Sequence, residues 1–284
     1  MSYSVENTTI IQIDNRQSNQ WTQSKDMPEG RSHMNTYNDT WHDKDREAMA
    51  KSGYPSNEWA PWDMSRLLNQ IQARRLGISY KWIEVPKDYV LSSDRHYTWL
   101  KIKKLLELVT EELSNNKQSC FVFLDSDAII RDRDLFKKTL AGFLDGPKQF
   151  YISLDVPRPR NSLVNSGFIM LKTSDVTRSF LQAVWDNVDN VPGNMRVNFP
   201  HEQRVIDYIL TKEEYKNIVE YAQTTTWANT PIGEMIRHCW YHEFMGPVFV
   251  DQAFCLLAEE LIGKNVANIA GSHTLSDEEL TKTQ

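Results

Sequence analysis

Apolar positions along this chain come in two rhythms, short strand-like runs and stretches with helical spacing, and the two alternate. Residues 8–13 read as a first strand that ends at Asp14-Asn15-Arg16. A polar stretch from about 17 to 61 follows, carrying Pro28, Gly30, Gly53 and Pro55; irregular segments of such length usually serve function. Residues 64–76 predict a helix with Leu67, Leu68, Ile71 and Leu76 on one side, stopped by Gly77. Residues 78–85 predict a second strand before Pro86. Residues 97–113 predict an amphipathic helix, with Leu100, Leu105, Leu108 and Val109 apolar among Lys101, Lys103 and Lys104. Further strands are expected in the apolar run from 121 that ends at Asp125 and Asp127, and at 150–156, 166–171 and 219–223. Helices are expected at 176–188, 202–210 and 251–262. The tail after residue 270 is polar.

Strands alternating with helices predict an α/β fold with a mostly parallel central sheet flanked by helices. A chain of 284 residues buries a full core, and the pattern predicts a single domain over 1–270 with a polar tail at 271–284.

The run Phe121-Val122-Phe123-Leu124-Asp125-Ser126-Asp127-Ala128-Ile129-Ile130 changes this picture most. An apolar strand ends in two carboxylates one residue apart, and strand alternation lets both point the same way out of the sheet. Hard oxygen ligands so arranged suit Mn²⁺ or Mg²⁺ carrying a diphosphate. Open α/β sheets bind ligands at the carboxyl ends of their strands. Such pairs also occur in plain turns. The second one here, Asp132-Arg133-Asp134, reads as a helix cap.

Composition narrows the class. A net charge of −6 with no long Lys/Arg block argues against nucleic-acid binding and against an anionic membrane surface. Three cysteines without C-x-x-C spacing favour reduced thiols, and no apolar run approaches a membrane span. With no evident leader in the first residues, the expectation is a cytoplasmic location.

The landmarks Tyr97-Thr98-Trp99-Leu100-Lys101, Phe123-Leu124-Asp125-Ser126-Asp127-Ala128, Asn165-Ser166-Gly167, Glu202-Gln203 and His242-Glu243-Phe244-Met245-Gly246 follow in order. Together they resemble the GT-A glycosyltransferases. More narrowly, they resemble plant xyloglucan xylosyltransferases with the fungal galactosyl- and mannosyltransferases of mannan synthesis. The short anchor-free chain is also similar to small GT-A enzymes of large algal viruses, which implies a viral origin in host cytoplasm.

The resemblance implies a UDP-sugar donor, with xylose or galactose favoured, and a glycan acceptor. It implies a nucleotide-binding region over about 8–156 and an acceptor-binding region over about 157–270. It assigns Asp125 and Asp127 to the metal with a C-terminal histidine. His242 matches the motif position, with His238 and Glu243 as rivals. Asp14 and Asn15 fall where such proteins meet nucleobase and ribose. Lys101 or Arg16 is available for the phosphates, and Ser126 lies between the metal carboxylates. Asn165, Ser166 and Gly167 fall at the sugar, where a glycine permits close backbone approach and an amide offers donor and acceptor. Asp155 is a partner for donor-sugar hydroxyls. Gln203 favours a retaining reaction, whereas an inverting one needs a carboxylate base, for which Glu202, Asp155 and Asp251 are candidates.

Two other classes use similar residues. In a haloacid-dehalogenase-like phosphohydrolase, Asp125 is a nucleophile and Asp127 a general acid, but that motif sits near the N-terminus with Thr or Val where Ile129 stands. A non-catalytic carbohydrate-binding protein uses a divalent ion and aromatic platforms without turning over a donor.

Overall fold

The computed structural model describes residues 3–14, 61–85, 94–155, 163–239 and 242–262. Six strands form the main sheet: β1 (Thr8–Asp14), β2 (Ser79–Glu84), β3 (Cys120–Leu124), β5 (Phe150–Leu154), β6 (Val164–Lys172) and β7 (Val219–Tyr221). Their spatial order is β2-β1-β3-β6-β5-β7. β1 runs parallel to β2 and β3, and β5 runs parallel to β7. β6 alone is reversed, antiparallel to both β3 and β5. The mostly parallel α/β architecture expected from the pattern is therefore present. The reversal of β6 matters for function: it brings that strand's first residues to the edge where β1, β3 and β5 end.

β3 is buried along its whole length, as a central strand covered on both faces must be. Its period of two sorts side chains between two cores. Phe121 and Phe123 join Ile11, Ile169 and Leu171 beneath three helices. These are α2 (Leu100–Ser114), α4 (Asp175–Asp186) and α5 (Glu202–Leu210). Val122 and Leu124 join Ile10, Phe168 and Met170 on the other face, beside α1 (Pro61–Leu76) and α3 (Arg133–Asp145). Asp132 caps α3, accepting from the backbone N–H groups of Asp134 and Leu135, so the second acidic pair is a helix start as expected. Gly77 ends α1 at φ +72°, a conformation that favours glycine.

The apolar run expected to end at the two carboxylates does so, and a second short strand follows them. β3 stops at Leu124, and β4 (Ala128–Ile130) pairs antiparallel with β8 (Ile236–His238) in a separate small sheet. Neither β8 nor the four-residue α6 (Thr225–Ala228) is long enough to show a period in sequence. A 3-10 turn at Tyr97–Trp99 precedes α2. The last helix, α7 (His242–Ile262), is nine residues longer at its start than the expected 251–262, because it continues through Gly246 and Pro247, which read as breakers. Among the described residues no helix is long and apolar enough to cross a membrane.

Candidate metal centre

The two carboxylates sit on the turn between β3 and β4. The Asp125 N–H donates to Gly167 O at 2.8 Å, extending the β3–β6 ladder by one residue, and the Ala128 N–H donates back to Asp125 O at 3.0 Å. Strand alternation therefore does not bring Asp125 and Asp127 together. A tight turn does, and the register of β4 against β8 places His238 opposite Ala128. His238 Nε2 lies 3.2 Å from Asp127 Oδ1 and 3.8 Å from Asp125 Oδ2. One ligand atom from each of Asp125, Asp127 and His238 lies within 4.8 Å of the others. Two carboxylate oxygens and one imidazole nitrogen in that space are a donor set that could hold a divalent ion.

Gly167 explains why the imidazole reaches the carboxylates. A Cβ at this position would lie 2.1 Å from His238 Cε1, so only glycine leaves space for the ring. The space a glycine leaves here is taken by His238. Asn165 turns inward on its own strand, its Oδ1 accepting from the Gly167 N–H at 2.9 Å.

Beside this cluster Lys101 is buried, with 6% of its surface exposed. Its Nζ lies 2.7 Å from Asp125 Oδ1 and 3.4 Å from Glu202 Oε1, and donates to Ser166 Oγ at 3.1 Å. Ser166 Oγ donates to Glu202 Oε1 at 2.7 Å, and its N–H donates to Gln203 Oε1 at 2.9 Å. The first residues of β6, the first turn of α5 and one residue of α2 therefore form one polar network. His201, just before α5, holds φ at +54°, a strained value for a residue with a Cβ. Among the described residues, Glu202 Oε2 is buried with no hydrogen-bond partner.

The charges lean on one another. Burial alone would pull Lys101 down, but Asp125, Glu202 and Asp127 outweigh it and hold the ammonium above its ordinary value. Burial likewise opposes a charged His238, yet Asp127 first and Asp125 next push its imidazole up. Asp125 is pushed up by burial and Asp127 against the pull of Lys101 and His238.

A layer of buried amides and hydroxyls fixes the turn from behind, and nothing in the sequence flagged it. Gln12 Nε2 donates to Asp125 O and to Ser65 Oγ, each at 3.0 Å, while Tyr80 donates to Gln12 Oε1 at 2.7 Å. On α1, Ser65 Oγ and Asn69 Nδ2 both donate to Ala128 O, at 2.9 and 2.8 Å, and Asn69 Oδ1 accepts from the Ile130 N–H at 3.0 Å. Their spacing, Ser65 to Asn69, is one helical turn, the only trace of this role in the sequence.

The other expected site residues divide. Asp14 ends β1, which is parallel to β3, and Asp155 follows β5, so both lie along the same edge as the cluster. Asp155 neighbours Asp207, whose carboxyl feels its charge. Ser126 lies on the turn between Asp125 and Asp127. Asp251 is engaged by Arg237 at 2.9 Å. Asn15 and Arg16 lie outside the described residues. His242 begins α7, and its side chain, like that of Glu243, lies outside them too.

No protein-family profile matches the sequence, and no curated protein matches it. Among solved structures, the chain is similar to a glycosyltransferase involved in glycosylation of the major capsid of PBCV-1. That match has 12% identity and a TM-score of 0.49, covering 87% of this chain and 98% of the other. It is also similar to a Bacillus anthracis protein named as a glucose-1-phosphate thymidylyltransferase, with 10% identity and a TM-score of 0.34, covering 76% and 86%. Mouse xyloside xylosyltransferase 1 gives 12% identity and a TM-score of 0.32, covering 78% and 86%. All three TM-scores are below 0.5, so the functional reading rests on the site itself.

Proposed function

We propose that this chain is a metal-dependent glycosyltransferase of GT-A architecture that moves a sugar from a nucleoside diphosphate to a hydroxyl of a glycan. The observation that carries the reading is the convergence of Asp125, Asp127 and His238 at the carboxyl edge of a mostly parallel sheet. Mn²⁺ or Mg²⁺ held there would bind the donor diphosphate and neutralise charge on the leaving group. UDP-xylose and UDP-galactose are the first donors to test.

The chain's own residues supply the rest. Ser166, Glu202 and Gln203 line the adjacent sugar position, and the unpartnered Glu202 Oε2 offers an acceptor for a donor-sugar hydroxyl. Gln203 favours retention. Asp14 and Asn15 are assigned to the nucleoside, and Asn165 and Asp155 to sugar hydroxyls. The nucleotide-binding region spans about 8–156 and the acceptor-binding region about 157–270. A cytoplasmic, virus-encoded enzyme fits this reading.

The test is a panel of nucleotide sugars incubated with Mn²⁺, with released nucleoside diphosphate measured. Hydrolysis or transfer that needs the ion, and is lost in Asp127→Ala, is expected. Full donor turnover in Asp127→Ala contradicts the reading, and phosphate release from simple phosphomonoesters would favour the phosphohydrolase instead.

A further inference from the structure

His238 brings a chemical requirement that Asp125 and Asp127 do not. A carboxylate offers either oxygen to an ion, whereas a neutral imidazole offers one nitrogen and carries a proton on the other. Something must hold the proton on the far nitrogen, or the ring is a ligand for only part of the time. Metal-bound histidines generally owe this to a partner behind them.

That partner is Asn229. It is fully buried, and its Oδ1 lies 3.1 Å from His238 Nδ1. The amide cannot be turned the other way round, because its Nδ2 donates to Leu154 O at 2.8 Å, and a carbonyl oxygen accepts only from the NH₂ end. With Nδ2 committed to Leu154, Oδ1 faces the imidazole, and an oxygen there accepts only if His238 Nδ1 carries the hydrogen. Nε2, on the side of Asp125 and Asp127, is then the nitrogen left for an ion.

The backbone supports the same alignment. Asn229 follows α6, its N–H donating to Thr225 O, while Thr224 caps the start of that helix. Ser153 Oγ donates to Ala228 O at 3.2 Å, tying α6 to β5. One residue on, Thr230 O accepts the His238 N–H at 3.1 Å. Asn229 and His238 therefore move together, anchored to the strand ends that define the site edge. Gly167, without a Cβ, leaves space for the ring beside Cε1.

We propose that Asn229 is a positioning residue that fixes the His238 tautomer and ring angle so that Nε2 is presented to a divalent ion. This rests on the metal reading above and adds a residue to it. Asn229→Leu keeps the volume and removes the acceptor. Mn²⁺ affinity, measured by electron paramagnetic resonance without nucleotide, should fall about 10- to 100-fold. Asn229→Asp restores an acceptor on Nδ1 and should keep affinity within about tenfold of the wild type. In a His238→Ala background, Asn229→Leu should change Mn²⁺ affinity no further, which a merely structural role would not produce.

A second measurement needs no variant. In the wild-type chain, ¹⁵N-labelled at histidine and loaded with diamagnetic Cd²⁺, the His238 proton should reside on Nδ1. A proton on Nε2, or Mn²⁺ affinity unchanged in Asn229→Leu while His238→Ala weakens it, overturns the role of Asn229 alone. Wild-type protein that binds neither ion overturns the metal reading together with it.

Discussion

The ammonium of Lys101 lies 2.7 Å from Asp125 Oδ1, so a cation fixed to α2 already touches one of the two carboxylates proposed to hold a divalent ion. It is buried, and it also lies 3.4 Å from the equally buried Glu202. Lys101 therefore supplies an internal counter-charge to Asp125 and Glu202.

Removing that charge should expose how the site is balanced. Lys101→Met leaves Glu202 without a cation and Asp125 facing Asp127, which should lower stability by about 3 kcal/mol in the absence of metal. Added Mn²⁺ should recover part of the loss. The increase in melting temperature with Mn²⁺ is expected to be larger in Lys101→Met than in the wild type, measured by differential scanning calorimetry.

Gly167→Ala tests the space given to His238. The new methyl group overlaps the ring, so either the imidazole or the β3–β6 ladder must move. A stability loss of about 1–3 kcal/mol is expected. Mn²⁺ affinity should fall as far as it does in His238→Ala. Unchanged affinity would mean that His238 reaches the ion by another route.

The layer behind the turn should matter at a distance from any ligand. Asn69→Leu leaves Ala128 O with one donor fewer and the buried Ile130 N–H without its partner. A cost of about 1–3 kcal/mol follows, read from urea unfolding. The carboxylates should also bind Mn²⁺ more weakly, because the turn that presents them loses its support.

Acid stability should depend on two groups that act in opposite directions. Burial first, then His201 and Lys101, push the His96 imidazole down from 6.5 to about 3, and the two rings stack 4.0 Å apart. An unfolded chain takes up that proton near pH 6.5. Stability therefore falls as pH drops from 6.5 towards 3, by up to about 1.4 kcal/mol per unit. Burial pushes Asp207 up from 3.8 to about 6, so its contribution is lost as pH rises across that interval. His96→Asn, which keeps a capping acceptor, should flatten the decline below pH 6.5. Asp207→Asn should steepen it between pH 6 and 4. Urea midpoints across that range check both.

Sequence reasoning reached the carboxylates but reached them by the wrong geometry. Asp125 and Asp127 stand out because they end an apolar run. The turn between them has no signature of its own, since Ser126 suits strand and turn alike. Glu202 and Gln203 were legible as a helix start, and α5 occupies the expected 202–210. Lys101 was legible as a candidate for the phosphates, but amphipathic spacing does not reveal that the residue beside the sheet edge is enclosed. The reversal of β6 was invisible because strand direction is set by tertiary connection and not by alternation. His238 was named only as a rival to His242, and Asn229 escaped altogether, for a related reason. They belong to a three-residue strand and to the residue after a four-residue helix, both shorter than any period that could announce them.

The central claim is that Asp125, Asp127 and His238 hold one divalent ion that in turn holds a nucleoside diphosphate. Isothermal titration of Mn²⁺ into the wild type and Asp127→Asn, each with and without UDP, tests it directly. The account predicts one ion per wild-type chain, with UDP and Mn²⁺ each tightening the other's binding by the same factor, and both effects lost in Asp127→Asn. Matching titrations for the two proteins, or UDP binding indifferent to Mn²⁺, would contradict it.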